Sequence, residues 1–278
     1  MCKILGISRQ AYYYHPKPKK SEADFEEAVE EVFNQSRKNY GARKIKKELE
    51  KRGIILSRRK ISQIMKRRHL VSTYTKAKFK AAKTSVNEAK IANKLKRQFS
   101  NREPLEAIVT DLTYVRVGGK WHYICFILDL FNREIIGYSC GQNKDAELVK
   151  KALSRISYPL TDVHYFHTDR GKEFDNQAIE AVLNAFQIER SLSRKGNPYD
   201  NAVAESTYKP TKVEFVYPNT FATLEELDIH LFDYVHWWNY LRLHGSLGYE
   251  TPIAYRYARL AKRTLELELG CDTNEGAA

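Results

Sequence analysis

Residues 105–142 read "LEAIVTDLTYVRVGGKWHYICFILDLFNREIIGYSCGQ", and they narrow the fold more than any other stretch. "AIVTDLTYVRV" and "WHYICFILDL" are β-branched and aromatic runs of strand length. Gly118-Gly119 joins them and can supply the positive φ angles of a tight hairpin turn. "REIIGYSCG" supplies a third strand. Helical texture follows over about 145–156, then the strand "VHYFHT", a helix over roughly 176–186 and the strand "IERSLS". Three consecutive strands followed by alternating helix and strand predict a mixed five-stranded α/β sheet with helices packed on it. Helices over about 201–215, 223–241 and 251–263 close the chain.

Upstream the texture is helical. "MCKILGISRQAYYY" reads as the end of a helix-turn-helix unit, with a turn at Gly6 and Ser8 as N-cap. Pro16 and Pro18 then interrupt it. Phe25, Val29, Val32 and Phe33 form the apolar stripe of a helix over about 22–35. A second helix over 41–52 turns Ala42, Ile45 and Leu49 inward, with Gly53 just past its end. Ser57 caps a third helix carrying Ile61, Ile64 and Met65. The organisation expected is a helical DNA-binding region over 1–71 and a basic linker over 72–103 in which Glu88 is the one acid. A core over 104–220, a helical extension over 221–263 and a tail over 264–278 follow.

Charge separates the two halves. The chain of 278 residues has a formal net charge of +13. Residues 1–100 hold 27 Lys+Arg against 9 Asp+Glu, whereas the remainder holds 20 against 25. A split of this size points to a basic module whose partner is a polyanion, with nucleic acid foremost. The clusters "RKIKK" and "SRRK" make Arg43, Lys44, Arg58 and Arg59 candidate phosphate contacts, although a solvated basic face on an ordinary bundle has the same composition. No run of 18 apolar residues appears, and the N-terminus lacks the apolar segment of a secretion signal, so a cytoplasmic protein without a membrane partner is expected. The four cysteines, at positions 2, 125, 140 and 271, are too scattered for a zinc site or a disulfide framework.

Three acids sit where stability explains them poorly. Asp111 interrupts the first strand, where a lone carboxylate is costly without compensation. Asp169 follows the strand "VHYFHT", at the edge where open α/β sheets place ligands. Glu205 follows the stiff turn "RKGNPYDN" on the next helix, for which Asp200 reads as the cap. Each has a structural reading as well: a satisfied polar group, a turn cap, or an acid favoured by the helix dipole. Together they suit hard divalent cations, which take several carboxylate oxygens. Two such ions about 4 Å apart stabilise the attacking and leaving oxygens of phosphoryl transfer.

"TDLTYV", "HTDRGKEF" and "SRKGNPYDNAVAES", with 35 residues between the second Asp and the Glu, resemble the retroviral-integrase-type DDE catalytic core. More narrowly, the chain resembles the OrfB-type transposases of bacterial insertion sequences. "YGARKIKKELEKRG" and "WNYLRLHGSLGYETPIAY" match that family's N-terminal and C-terminal segments, so the resemblance covers about residues 1–260. It implies a ribonuclease-H-like fold, metal-ligand and catalytic roles for Asp111, Asp169 and Glu205, and Mg²⁺ or Mn²⁺, as two ions. It also implies cleavage of a phosphodiester at an element end by activated water, followed by attack of the freed 3′-OH on another DNA phosphate. The partners implied are element ends and target DNA, a second copy of the chain in a synaptic complex, and an upstream-frame OrfA-type protein or fusion. A nucleoid-associated cytoplasmic location goes with them. The alternatives are a weak or inactive copy that regulates by binding DNA, and a nuclease on the same fold.

Several further residues carry expectations. Lys209 and Lys212, at i+4 and i+7 from Glu205, share its helix face and read as DNA contacts. Arg170 and Lys195 read as phosphate contacts or loop charges, and Gly196 and Pro198 as a loop beside the site. Asp129 is read as structural or as a support for the ligands, and His167 as packed. Trp237, Trp238 and Tyr240 are read as packing residues. Asn239, Arg242 and His244 match the family signature without a deducible role. Pro210 breaks the pattern, because a proline within a helix removes a backbone bond. The expectation is a kink that misplaces Lys212 more than Glu205.

Overall fold

The computed structural model describes residues 6, 8, 13, 21–75, 102–169, 171–192 and 202–271, the side chains of 202–206 and 267–271 excepted. The chain forms two compact units, divided after Thr75.

In the first unit, α1 (Glu22–Gln35) starts at a capping box: the Asp24 N–H donates to Ser21 Oγ and the Ser21 N–H to the Asp24 carboxylate. α2 (Ala42–Lys51) ends as expected, with Gly53 following its C-cap at φ 72°. α3 (Arg58–Arg67) is capped by Ser57 Oγ, which accepts from the Lys60 N–H at 3.2 Å. Val29, Val32, Phe33, Ile45, Leu49, Ile61 and Ile64 are buried, which is the apolar stripe of each helix turned inward. The expected helix-turn-helix remnant before residue 15 lies outside the described residues, except for Gly6, Ser8 and Tyr13.

The second unit is built on a five-stranded sheet in the order β3-β2-β1-β4-β5. β1 (Ala107–Val117) and β2 (Lys120–Asp129) pair antiparallel from Ile108↔Asp129 to Val117↔Lys120. Gly118 and Gly119 form the two-residue turn at φ 54° and 80°, where a side chain would be strained. β3 (Ile135–Gly141) continues the antiparallel pairing, while β4 (Tyr165–Thr168) lies parallel to β1 and β5 (Glu189–Leu192) parallel to β4. α4 (Ala146–Ser154) and α5 (Gln177–Ala185) contribute Leu148, Val149, Ala152, Ile179 and Leu183 to a core with Ile108, Cys125, Ile127 and Phe166.

α6 (Ala202–Thr211) runs into a π-helical turn, Lys212–Val216; α7 (Leu224–Tyr240) and α8 (Pro252–Cys271) follow. α7 is pinned to the sheet by Asn239, whose amide bonds both the N–H and the C=O of Ile135 at 2.9 Å, on the edge strand. Trp237 and Trp238 are buried as expected. Tyr240 is not: it is 53% exposed and stacks on His236, one turn earlier on the outer face of α7. α8 extends past the expected end at 263, because "TLELEL" contains only good helix formers and no breaker before Gly270. Among the described residues no helix is long and apolar enough to cross a membrane.

Candidate metal centre

β4 pairs with β1 only over Ala107–Val109, in the parallel register Val109↔His167. Continuing that register by two residues sets Asp111 opposite Asp169, just where the β4 side of β1 becomes free. The two carboxylates sense each other. Burial and then the Asp169 charge push the Asp111 carboxyl up to about 7, against the Leu112 N–H and the charges of Lys212 and Lys144. Burial likewise raises Asp169, opposed by the Gly171 N–H that donates to its Oδ1 at 2.9 Å, while Glu173 adds a further upward push.

Glu173 and Lys144 are site residues that sequence reasoning missed. The Glu173 side chain is 5% exposed and pairs with Lys144 Nζ at 2.9 Å. A Cβ on Gly171 would stand 2.2–2.6 Å from the Glu173 carboxylate, so only glycine admits this turn. Partial burial works against the Lys144 charge, yet Glu173, Asp169 and Asp111 together hold its pKa above the ordinary range. The one available signal was an acid four residues after Asp169; nothing marked Lys144.

The helix of Glu205 is tied to Asp111 through Tyr208. The buried Tyr208 hydroxyl accepts from the Phe126 N–H at 2.9 Å and donates to the Asp111 carbonyl, bridging the strand pair Asp111↔Phe126. Glu205 lies within α6 but its side chain is outside the described residues. Arg170, Lys195, Gly196, Pro198 and Asp200 also fall outside them.

Pro210 does not break the helix. α6 passes through it to Thr211, and the chain then widens into the π turn, closed by the Tyr217 N–H donating to the Lys212 carbonyl at 2.9 Å. The local crowding is taken up in that wider turn. The turn is clamped from within, where Arg242 donates to both Glu214 oxygens at 2.8 Å. The Arg242 guanidinium lies 4.4 Å from the Trp238 ring centre, and the His244 ring meets the same indole edge-on. Lys212 therefore stays close to Asp111, against the expected misplacement, with Nζ 5.4 Å from the Tyr114 ring centre. Lys209 is exposed.

Other acids near the sheet are accounted for by packing. Asp129 is fully buried, accepts from the Leu105 and Phe131 N–H groups at 3.0 and 2.9 Å, and pairs with Arg256 at 2.6 Å. His167 is packed, with Nδ1 2.9 Å from Ser191 Oγ.

The donor chemistry at Asp111 and Asp169 fits a hard divalent cation: adjacent carboxylate oxygens whose mutual repulsion a bound positive charge would relieve. Among the described side chains no group of three His, Cys, Asp or Glu is placed to close around a metal ion.

In the first unit the basic clusters divide. Lys60, Arg67 and Arg68 pair with Glu22, Glu26 and Glu30 of α1, and Arg52 pairs with Glu31. Arg43, Arg58 and Arg59 are exposed, without an ion pair among the described residues. Lys44 is half-buried, with its ammonium 4.9 Å from the Tyr40 ring centre.

Comparison with known proteins gives a consistent picture. Two family models, each described as an integrase core domain, match residues 101–198 and 205–260, and an HTH-like domain model matches 20–78. The chain is 31% identical to the uncharacterized 31 kDa protein of insertion element IS600 from Shigella sonnei, over 92% of this chain and 97% of that one. It is 29% identical to the putative transposase InsK for insertion sequence element IS150 from Escherichia coli strain K12, over 92% of each. Among solved structures, the HTLV-2 integrase catalytic core domain in complex with magnesium is similar at 18% identity and a TM-score of 0.38, covering 54% of this chain and 94% of that one.

Proposed function

Because the chain belongs to the insertion-sequence transposases that carry an integrase core domain, we propose that it cuts and joins DNA with Asp111, Asp169 and Glu205 as ligands of Mg²⁺ or Mn²⁺. The observation that carries this reading is the β1/β4 register, which aligns Asp111 with Asp169. Two bound ions would activate the attacking oxygen and stabilise the leaving one. The chain's own residues do the positioning: Tyr208 fixes the Glu205 helix against the Asp111 backbone, and the Arg242–Glu214 clamp holds the turn that carries Lys212. Lys212 and Lys209, with Arg170 and Lys195, then face DNA phosphates, where cations orient the scissile group. The closeness of Lys212 to Asp111 favours an active copy over a purely regulatory one.

Joining assays with DNA carrying the inverted repeats that flank the gene, target DNA and Mg²⁺ or Mn²⁺ test this function. Joined product that disappears on chelation is expected. Cleavage of any branched DNA with no joining would favour the nuclease instead.

Lys144 acts in this reading as a tethered cation that partly neutralises the carboxylates before metal arrives. Lys144→Met is expected to lower the metal-free melting temperature and to tighten Mn²⁺ binding measured by calorimetry. An unchanged Mn²⁺ affinity would reduce Lys144 to a structural anchor.

The first unit supplies sequence-independent DNA affinity through Arg43, Lys44, Arg58 and Arg59. Arg58→Ala with Arg59→Ala is expected to weaken binding to every duplex tested and to lower the slope of log affinity against log salt by about 2. A sequence-selective loss would instead assign these residues to base reading. The assembly proposed is a synaptic complex of at least two copies on element ends and target DNA, with an OrfA-type upstream partner, in the cytoplasm at the nucleoid.

A further inference from the structure

The free end of the β1–β2 hairpin is aromatic and basic. From Leu112 to Cys125 the sequence has no acid, and it carries Arg116 and Lys120. Thr113, Val115 and Val117 turn one face into the protein, so Tyr114 and Arg116 fall on the other, with Trp121 paired to Arg116. Tyr114 is 47% exposed and Trp121 54%. Their rings meet edge to face at 5.2 Å, an arrangement that stabilises the hairpin but leaves ring faces open beside the contact. Cations border both rings: the Arg116 guanidinium lies 5.1 Å from the Trp121 centre and the Lys212 ammonium 5.4 Å from the Tyr114 centre.

The hairpin tip is held in place. The Gly118 N–H donates to the Phe221 carbonyl at 2.9 Å, and Val117 bridges to Phe221. The nearby acid Glu226 is engaged by the Ala222 N–H. Tyr114 follows Asp111 by three residues in one strand, about 10 Å along it, and Lys212 serves both ends of that interval.

We infer that this face is a stacking platform for unpaired bases of a DNA strand led to or from the Asp111 site. Aromatic rings interleaved with cations, and free of acids, match a chain of π-faced bases joined by phosphates. A second protein copy has no such complementarity to offer. The inference rests on the reading that Asp111 acts on DNA, but its test does not use catalysis.

The chain has three tryptophans. Trp237 and Trp238 are each 2% exposed, so quenching of intrinsic emission by added DNA reports Trp121. The full chain, in chelator, is titrated with a short oligothymidine and separately with a blunt duplex of equal length. The expected result is quenching by the single strand well beyond that by the duplex. Trp121→Phe should lose the quenching yet keep its affinity for labelled oligothymidine, followed by anisotropy. Trp121→Ala and Tyr114→Ala should each weaken that affinity about tenfold, a stacking-sized loss that persists as salt suppresses the phosphate contribution. Tyr114→Ala keeps the reporter and decides the matter if Trp121→Ala does not fold. No quenching, equal quenching by blunt duplex, or unchanged affinity in Tyr114→Ala would each overturn the platform. Asp111→Asn should quench like wild type, so loss of joining in that variant speaks only to the metal site.

Discussion

Asp111→Asn is expected to cut DNA joining by at least about a hundredfold while leaving DNA binding unchanged, and to flatten the pH dependence of stability. In the folded chain burial and Asp169 hold the Asp111 carboxyl up to about 7. The unfolded chain returns it to the ordinary aspartate range. Between those limits the native state binds more protons than the unfolded state, so metal-free stability falls as pH rises and levels off above about 7. An asparagine of the same shape cannot ionise, and its share of that slope disappears. Mg²⁺ or Mn²⁺ needs the deprotonated carboxylates, so its stabilising effect grows from pH 5 to pH 8 in the wild type. Melting temperatures across that range, with and without metal, check the assignment. A wild-type melting temperature that rises with pH in chelator, or an equal metal effect in the variant, would remove Asp111 from the metal site.

The contrast between Asp111 and Asp129 shows where sequence reading stops. Both are aspartates in neighbouring long strands, and both interrupt apolar runs. Their difference lies in Arg256, which reaches Asp129 across 127 residues of chain and satisfies it, while Asp111 has a second carboxylate for a neighbour. Local pattern was enough for β1 and β2, because alternation and a Gly-Gly turn are properties of contiguous residues. It was enough for the Asp111–Asp169 alignment once the strands were placed in parallel. It could not reveal the Lys144–Glu173 pair, which depends on how two loops meet above the sheet. Tyr208 was hidden for a related reason: an aromatic three residues after Glu205 reads as ordinary helix packing until its hydroxyl is seen between two strands. The Pro210 expectation failed because propensity describes an isolated helix, whereas here the following turn is held from inside by Arg242.

That clamp predicts the second large effect. Arg242→Ala strands the Glu214 carboxylate, whose side chain has no exposure, in a pocket with Tyr234 and Trp238. Removing one partner of a buried pair typically costs about 3–5 kcal/mol, because the remaining charge is uncompensated. For a unit of this size the melting temperature should drop by roughly 10 °C. The pair also has a positioning role, since Glu214 belongs to the turn that begins at Lys212. Stability and positioning separate in the double variant Arg242→Leu with Glu214→Leu. Removing both charges removes the stranded carboxylate, so much of the stability should return. The π turn after Pro210 then has no polar clamp, Lys212 loses its fixed place beside Asp111, and joining should stay well below wild type while DNA affinity from the first unit is retained. A double variant that recovers both melting temperature and joining would confine Arg242 to holding the fold.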